Sequence, residues 1–328
     1  MSVDLSTSYM GLKLKNPIVA SSSGFTDSLD KIKKIYKAGV GAIVLKSIFE
    51  EQILREINSL AVNNMYGSFQ DAENYVSFYT KEHNLDNYIK LIKEAKQAVD
   101  IPVIASISCI SDSEWVDYAK RIEEAGADGI ELNMFIMPSD SSKKGSDIEQ
   151  VYFNIAENIK KQVAIPISMK LSSYFSGIAE TMVKLSNTGI SGLVLFNRFY
   201  TPDIDLDNEK VISANLYSVP EDNGNTLRWV SILSGQVKCD IASSTGIHDG
   251  KALIKNLLVG ANAVQIASVL YNEGVEVISS MLKELENWME SKKYDKLSDI
   301  IGKLNSKNIK QPMMYERAQF MKYFSNHY

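Results

Sequence analysis

Apolar residues along this chain fall into short, nearly continuous runs, separated by longer stretches where they recur every third or fourth position. The runs occupy residues 16–22, 41–47, 101–108 and 129–135, then 165–171, 192–197, 239–245 and 263–268. Continuous apolar runs predict strands covered on both faces, as in a parallel sheet flanked by helices. The stretches between them predict amphipathic helices. One example sets Trp115, Ala119, Ile122 and Ala125 on one face, with Ser111 or Asp112 as the opening cap and Gly126 as the stop. The phrases KAGVGAIV (37–44), EAGADGIE (124–131), NTGISGLV (187–194) and LVGANAVQ (258–265) repeat one unit: helix, glycine turn, strand. Alternating strands and helices of this number predict an α/β fold, a closed (β/α)8 TIM barrel, with an open doubly wound sheet as the alternative. Nothing resembling a linker divides residues 1–328, so a single domain is expected. Residues 50–83 and 198–225 read as irregular insertions after strands two and six, on the face where barrel active sites lie. The tail after Leu304, with Pro312 followed by Tyr315, Phe320, Met321 and Phe324, predicts an extra helix packed on the body or on a second subunit.

The strands end on residues with chemical reach: Lys46-Ser47, Ser106 and Ser108, Asn133, Lys170, Asn197, Ser244-Thr245 and Ser268. In a barrel these ring one mouth. A lysine at the end of an apolar strand is costly to desolvate unless it snorkels to water or meets an anion or acceptor, and here there are two. Small residues follow strands seven and eight, in SSTGIHDG (243–250) and ASVLYNEG (267–274), where barrels commonly hold phosphate on backbone N–H groups.

Composition narrows the choices. A net charge of -5 lacks the basic surplus of a nucleic-acid-binding protein. No run approaches the roughly 18 apolar residues of a membrane span, so a cytoplasmic protein without membrane or nucleic-acid partners is expected. Cys109 and Cys239 make no disulfide framework, and His83, His248 and His327 have no metal-ligand spacing. No metal is expected.

Taken together, these residues resemble the dihydroorotate dehydrogenase family, FMN-containing barrels of pyrimidine synthesis, over nearly the whole chain. Leu12 to Gly24 is similar to the family's first strand, where Asn16-Pro17 precedes a turn against the flavin through Ala20, Ser21 and Ser22. Lys46-Ser47 resembles the pair between flavin and substrate, and Lys170 resembles the lysine beside flavin N1 and O2. Asn133 and Asn197 resemble two asparagines that touch flavin and substrate. Thr245-Gly246, after Ser244, and Ala267-Ser268 stand where Gly-Gly and Gly-Thr usually hold the phosphate. The resemblance implies FMN as cofactor, a small-molecule substrate (anionic if these cations face it) and a homodimer.

One departure bears on chemistry. The family carries a Cys or Ser base just before a proline after strand four, and here Ile136 or Met137 occupies that position before Pro138. Neither accepts a proton. The family's substrate motif has no convincing counterpart in residues 58–75. The pattern resembles a subgroup that keeps the flavin site without the catalytic residue, leaving two expectations. One is an oxidoreductase oxidising dihydroorotate or a related CH–CH or carbonyl substrate. The other is a catalytically inactive flavin- or partner-binding protein of the same fold. A Schiff-base aldolase or isomerase using Lys46 or Lys170 is a third alternative. Within the first, Ser139, Asp140, Ser141 or Ser142 could replace the base, and Arg198 could pair with an anionic substrate or face the surface.

Overall fold

The computed structural model describes residues 3–49, 70–108, 115–199 and 201–317. Eight parallel strands form its centre: β1 (Ile18–Ala20), β2 (Ala42–Val44), β3 (Val103–Ser108), β4 (Gly129–Asn133), β5 (Ile167–Leu171), β6 (Gly192–Leu195), β7 (Asp240–Ser244) and β8 (Ala263–Ile266). They neighbour one another in the order β2-β1-β8-β7-β6-β5-β4-β3. Ile43 opposite Val103 and Val44 opposite Ile104 then join β2 to β3 and close the cylinder. Closure removes both sheet edges, which decides the question left open between barrel and open sheet. A two-residue strand, Ile48–Phe49, resumes the β2 line after Lys46 and Ser47 and pairs with the end of β3.

Helices α1 (Leu29–Lys37), α2 (Gln70–Ala98), α3 (Trp115–Glu124), α4 (Gly145–Lys160), α5 (Ile178–Ser186), α6 (Asn223–Leu233) and α7 (Gly250–Val259) follow β1 to β7. The short helix Ser268–Glu273 and then α8 (Val277–Lys292) follow β8. The repeated glycines do what the phrases predict. Gly39, Gly126, Gly189 and Gly260 take φ of 98°, 93°, 91° and 116°, a left-handed turn that lets each helix stop and the chain fold back to its strand.

Strand alternation sorts side chains into two cores. Ile130, Leu132, Ile167, Met169 and Ile241 are fully or almost fully buried in the layer between strands and helices. Val19, Ala42, Val44, Ile104, Val194, Ala242 and Ala263 belong to a second, inner cluster. Tyr9, Met10 and Leu14 complete that inner core from an N-terminal hairpin, Thr7–Tyr9 paired with Leu12–Leu14. Met10 and Gly11 take positive φ in its turn, and their N–H groups donate to Asp240 at the start of β7. The strand-start end of the barrel is thereby plugged, leaving the other end as the open mouth.

Three expectations change. Residues 70–83, read as irregular, belong to α2, consistent with the absence of Gly and Pro from its whole length; the preceding part of that insertion lies outside the described residues. The stretch 198–225 contains an antiparallel hairpin, Pro202–Asp205 against Lys210–Ser213, and the start of α6. Its strands are too short for a period of two to stand out. Of the expected C-terminal helix, the described residues show a single turn, Met313–Glu316 after Pro312, with Tyr315 Oη donating to Leu304 O at 2.6 Å. Phe320, Met321 and Phe324 lie outside the described residues, as do Cys109, Ser111 and Asp112. No described helix is long and apolar enough to cross a membrane.

Candidate active site

The strand that places Lys170 at the mouth also makes its position demanding. On β5 it lies opposite Asn133 of β4 and Val194 of β6, and only 7% of its surface is exposed. Its ammonium donates to Ser21 Oγ at 2.8 Å and to Gln265 Oε1 at 3.1 Å. Ser21 Oγ also donates to Gln265 Oε1, at 3.0 Å. The Gln265 amide turns its other end inward, where Nε2 donates to Glu131 Oε2. A cation and a carboxylate in the barrel interior are thus joined through one neutral amide. Burial lowers the proton affinity of Lys170 while the charge of Glu131 raises it. Burial raises the proton affinity of Glu131 against the opposing pull of Lys170 and the Gln265 hydrogen bond.

Ser21, Ser22, Lys170, Gln265 and the loops after β7 and β8 line a cavity of about 130 Å³. The β7 loop turns at Thr245 and Gly246, with φ of 78° and 75°. Threonine adopts this conformation reluctantly, and its Oγ1 is tied to Phe196 O at 2.9 Å. At Gly246 a side chain is excluded altogether, because a Cβ would lie 2.3 Å from Asn223 N. Ser218 reaches over this loop. Its Oγ accepts from Gly246 N at 3.3 Å and lies 3.1 Å from His248 Nε2, while Ser218 N donates to Ser268 Oγ at 3.0 Å. Arg198 holds the segment that carries Ser218, a strap over this loop, donating to Leu216 O at 2.9 Å and Asn215 O at 2.6 Å, with Asp222 at 3.7 Å. Its guanidinium is a structural clasp here, spent on backbone carbonyls, where residue order left open pairing with an anionic substrate or a surface position. Tyr217 stacks on Tyr271 at 5.0 Å, and Tyr271 Oη accepts from Gly24 N, extending the strap to the β1 loop.

On the other side of the mouth the surface is apolar. Asn197 Nδ2 donates to Asn133 Oδ1 at 2.7 Å, so the two expected asparagines meet. Two residues beyond each, Phe135 and Phe199 stack with centroids 3.9 Å apart, and Tyr174 of the β5 loop tilts against both. Ile136 packs against the core, its N–H donating to Tyr152 Oη at 2.9 Å, whereas Met137 is 53% exposed. Asp140 accepts from Ser142 N and Ser142 Oγ in a local turn, and these bonds hold its carboxyl below the usual range. That makes it a poor substitute base where it stands.

Lys46 does not share the Lys170 cavity. It is exposed and lines a separate recess of about 490 Å³ with Asp27, Ser47, Asn84 and Tyr88. The apolar run ends one residue earlier, at Leu45, so Lys46 reaches outward and the expectation of two buried ammonium groups fails. Ser47 connects the recesses: its Oγ is 3.0 Å from Ser22 Oγ and 2.7 Å from Ser106 Oγ. Ala20 is buried in the outer core, while Ser22, Ser244, Ala267 and Ser268 line the Lys170 cavity. Glu131, Gln265 and Ser218 were not anticipated. The first two could have been found as polar residues inside apolar strands, the same signal that singled out the lysines; Ser218 has no such signal.

With this mouth in view, comparison with known proteins is decisive. Residues 4–289 match the family model described as dihydroorotate dehydrogenase. The chain belongs to the dihydroorotate dehydrogenase family. It is 27% identical over 311 residues to the dihydroorotate dehydrogenase B (NAD(+)) catalytic subunit of Thermoplasma volcanium, covering 91% of this chain and 98% of that one. It is 24% identical over 323 residues to the NAD-dependent dihydropyrimidine dehydrogenase subunit PreA of Escherichia coli, covering 92% of this chain and 77% of the relative. A third relative, the putative dihydroorotate dehydrogenase A (fumarate) of Aeropyrum pernix, is 24% identical over 306 residues. Membership places the chain in a family of dehydrogenases, oxidoreductases acting on CH–CH groups.

Proposed function

We propose that this member of the dihydroorotate dehydrogenase family binds FMN in the Lys170 cavity and takes hydride from a CH–CH bond of a small cyclic substrate, dihydroorotate or a relative of it. The observation that carries the proposal is the Lys170 ammonium, buried at the mouth between Ser21 and Gln265. The donor set fits the group. Lys170 offers a cation for the pyrimidine edge of the ring, and Asn133 and Asn197 offer amides beside it. The left-handed Thr245-Gly246 turn and the hydroxyls of Ser218 and Ser268 suit a phosphate. The cavity adjoins a second groove of about 350 Å³, with Asn197, Arg198 and Thr245 on both, so the open space continues beyond the polar end.

When bound, FMN supplies a two-electron acceptor for hydride. The chain's residues divide the remaining work. Lys170 stabilises negative charge on the ring, an effect strengthened by its dry surroundings. Phe135, Phe199 and Tyr174 exclude water from the substrate side. Ile136 and Met137, either of which matches the family's base position by resemblance, cannot accept a carbon-bound proton. This observation also supports a second reading, a flavin holder without turnover.

Two measurements separate these possibilities. Titration of apoprotein with FMN should give saturable binding and a yellow protein; no uptake ends the proposal. Anaerobic mixing of loaded protein with dihydroorotate then decides between turnover and inert holding through loss of flavin absorbance. A cytoplasmic homodimer is part of the same proposal, tested by sedimentation.

A further inference from the structure

The mouth described above holds FMN chemistry at Lys170, but the charge immediately beneath it belongs to Glu131, whose side chain is completely buried. Only one of its oxygens is used: Oε2 accepts from Gln265, whereas Oε1 has no hydrogen-bond partner among the described residues. A carboxylate with a free lone pair in a dry barrel is expensive unless an adjacent cation compensates it. Lys170 provides that cation through the Gln265 amide.

Reduction of a bound flavin would upset this balance. A hydride brings two electrons and one proton to the ring and leaves it anionic. The ring's new charge then competes with Glu131 for the Lys170 ammonium, leaving one negative charge uncompensated. The titratable groups facing Glu131 are Lys170 from β5, Tyr88 from α2 and Tyr9 from the N-terminal hairpin. Lys170 Nζ already spends its protons as a donor to Ser21 Oγ and Gln265 Oε1. Burial and the charge of Glu131 push both tyrosine hydroxyls well above their ordinary range, so they too are already protonated. The carboxylate is the one group among these four with room for another proton, and its free oxygen is where that proton fits.

We propose that Glu131 is the proton acceptor coupled to flavin reduction: as substrate hydride is transferred to the ring, the Glu131 carboxylate takes one proton from solvent and becomes the neutral acid. The substrate is oxidised by two electrons, losing a hydride to the ring and a carbon-bound proton to water, and the ring is reduced by two. The hydride accounts for one proton on the ring, and water supplies the second proton, to Glu131. Lys170 keeps its charge throughout and changes counterion from Glu131 to the ring. Gln265 is the positioning residue that holds carboxylate and ammonium on opposite ends of one amide. This inference rests on FMN occupying the Lys170 cavity.

The test is a potentiometric titration of FMN-loaded protein by dithionite at several pH values, comparing wild type with Glu131→Gln. Wild type should take up two protons per two electrons and the variant one, so the slope of midpoint potential against pH should halve. An equal slope in both proteins overturns the role of Glu131, as does a one-proton slope in wild type. If Glu131→Gln does not fold, the reduced-minus-oxidised infrared difference spectrum of wild type serves alone. It should gain a protonated-carboxyl band on reduction, and its absence overturns the proposal. A protein that takes up no FMN defeats the functional reading itself, whereas a yellow protein with an unchanged proton count defeats only this inference.

Discussion

The two sides of the barrel mouth are built on opposite principles. Around β5, β7 and β8, polar groups at the mouth are tied to one another: Lys170 with Ser21 and Gln265, Thr245 with Phe196, Ser218 with Gly246 and Ser268. Around the loops after β4 and β6, Phe135 stacks on Phe199 and Ile136 packs against the core. Under the proposed function, the difference teaches that electron acceptance and proton abstraction are separable within one fold. Electron acceptance depends on preorganised charge at rigid strand ends. Proton abstraction depends on one loop side chain, which can change without disturbing the barrel.

The sharpest attempt to break this contrast is the reaction with dihydroorotate. A missing general base typically lowers rate by roughly 10² to 10⁴, so bleaching of bound flavin should be slower by that order than in a relative that has the base. Bleaching at the relative's rate in stopped-flow absorbance would mean that the apolar side hides a competent base. The polar side is tested by Lys170→Ala. Loss of a charged hydrogen-bond donor typically costs about 1.5–3 kcal/mol, so FMN affinity should fall about 10- to 100-fold and the midpoint potential should drop. An unchanged dissociation constant in fluorescence titration removes Lys170 from the site.

Smaller effects probe the supports. Gly246→Ala places a Cβ against Asn223 at a φ of 75°, so it should destabilise the protein by at least about 1–3 kcal/mol, read as a lower midpoint in urea. Arg198→Ala frees the strap at Asn215 and Leu216 and should weaken FMN binding by about fivefold, near 1 kcal/mol. If it instead abolishes response to anionic substrates only, the guanidinium faces substrate after all.

The smallest effect concerns Cys239, whose thiol burial pushes up to about 12 from an ordinary value of 9.0. Its folded form holds the proton more tightly than the unfolded chain. The associated stability is therefore present below pH 9.0 and is lost as pH rises toward 12. Alkylation of Cys239 at pH 8 should be negligible until denaturant is added, as mass spectrometry of its peptide would show.

Much of this organisation was legible in residue order because the physics concerned is local. Continuous apolar runs mark strands covered on both faces, and a glycine at each helix end marks the turn into the next strand. A polar residue at the end of an apolar run marks the mouth, which is how Lys170, Asn133, Asn197 and Ser268 could be named. The same rule misplaced Lys46, since one residue past the end of a strand is enough for a long side chain to face solvent. It also passed over Glu131 and Gln265, which look like isolated exceptions until β4 and β8 are placed around a common axis.

Residue order by itself therefore determined the count of strands, their burial and the kinds of groups at their ends, since each depends on neighbours a few positions away. Only the closed cylinder decided which groups share a space. It set Gln265 between Glu131 and Lys170, turned Arg198 onto backbone carbonyls and brought Ser218 to the β7 loop. Those partners are separated by many residues along the chain, and the curvature of the whole sheet, with the packing of its loops, brings them within hydrogen-bonding distance.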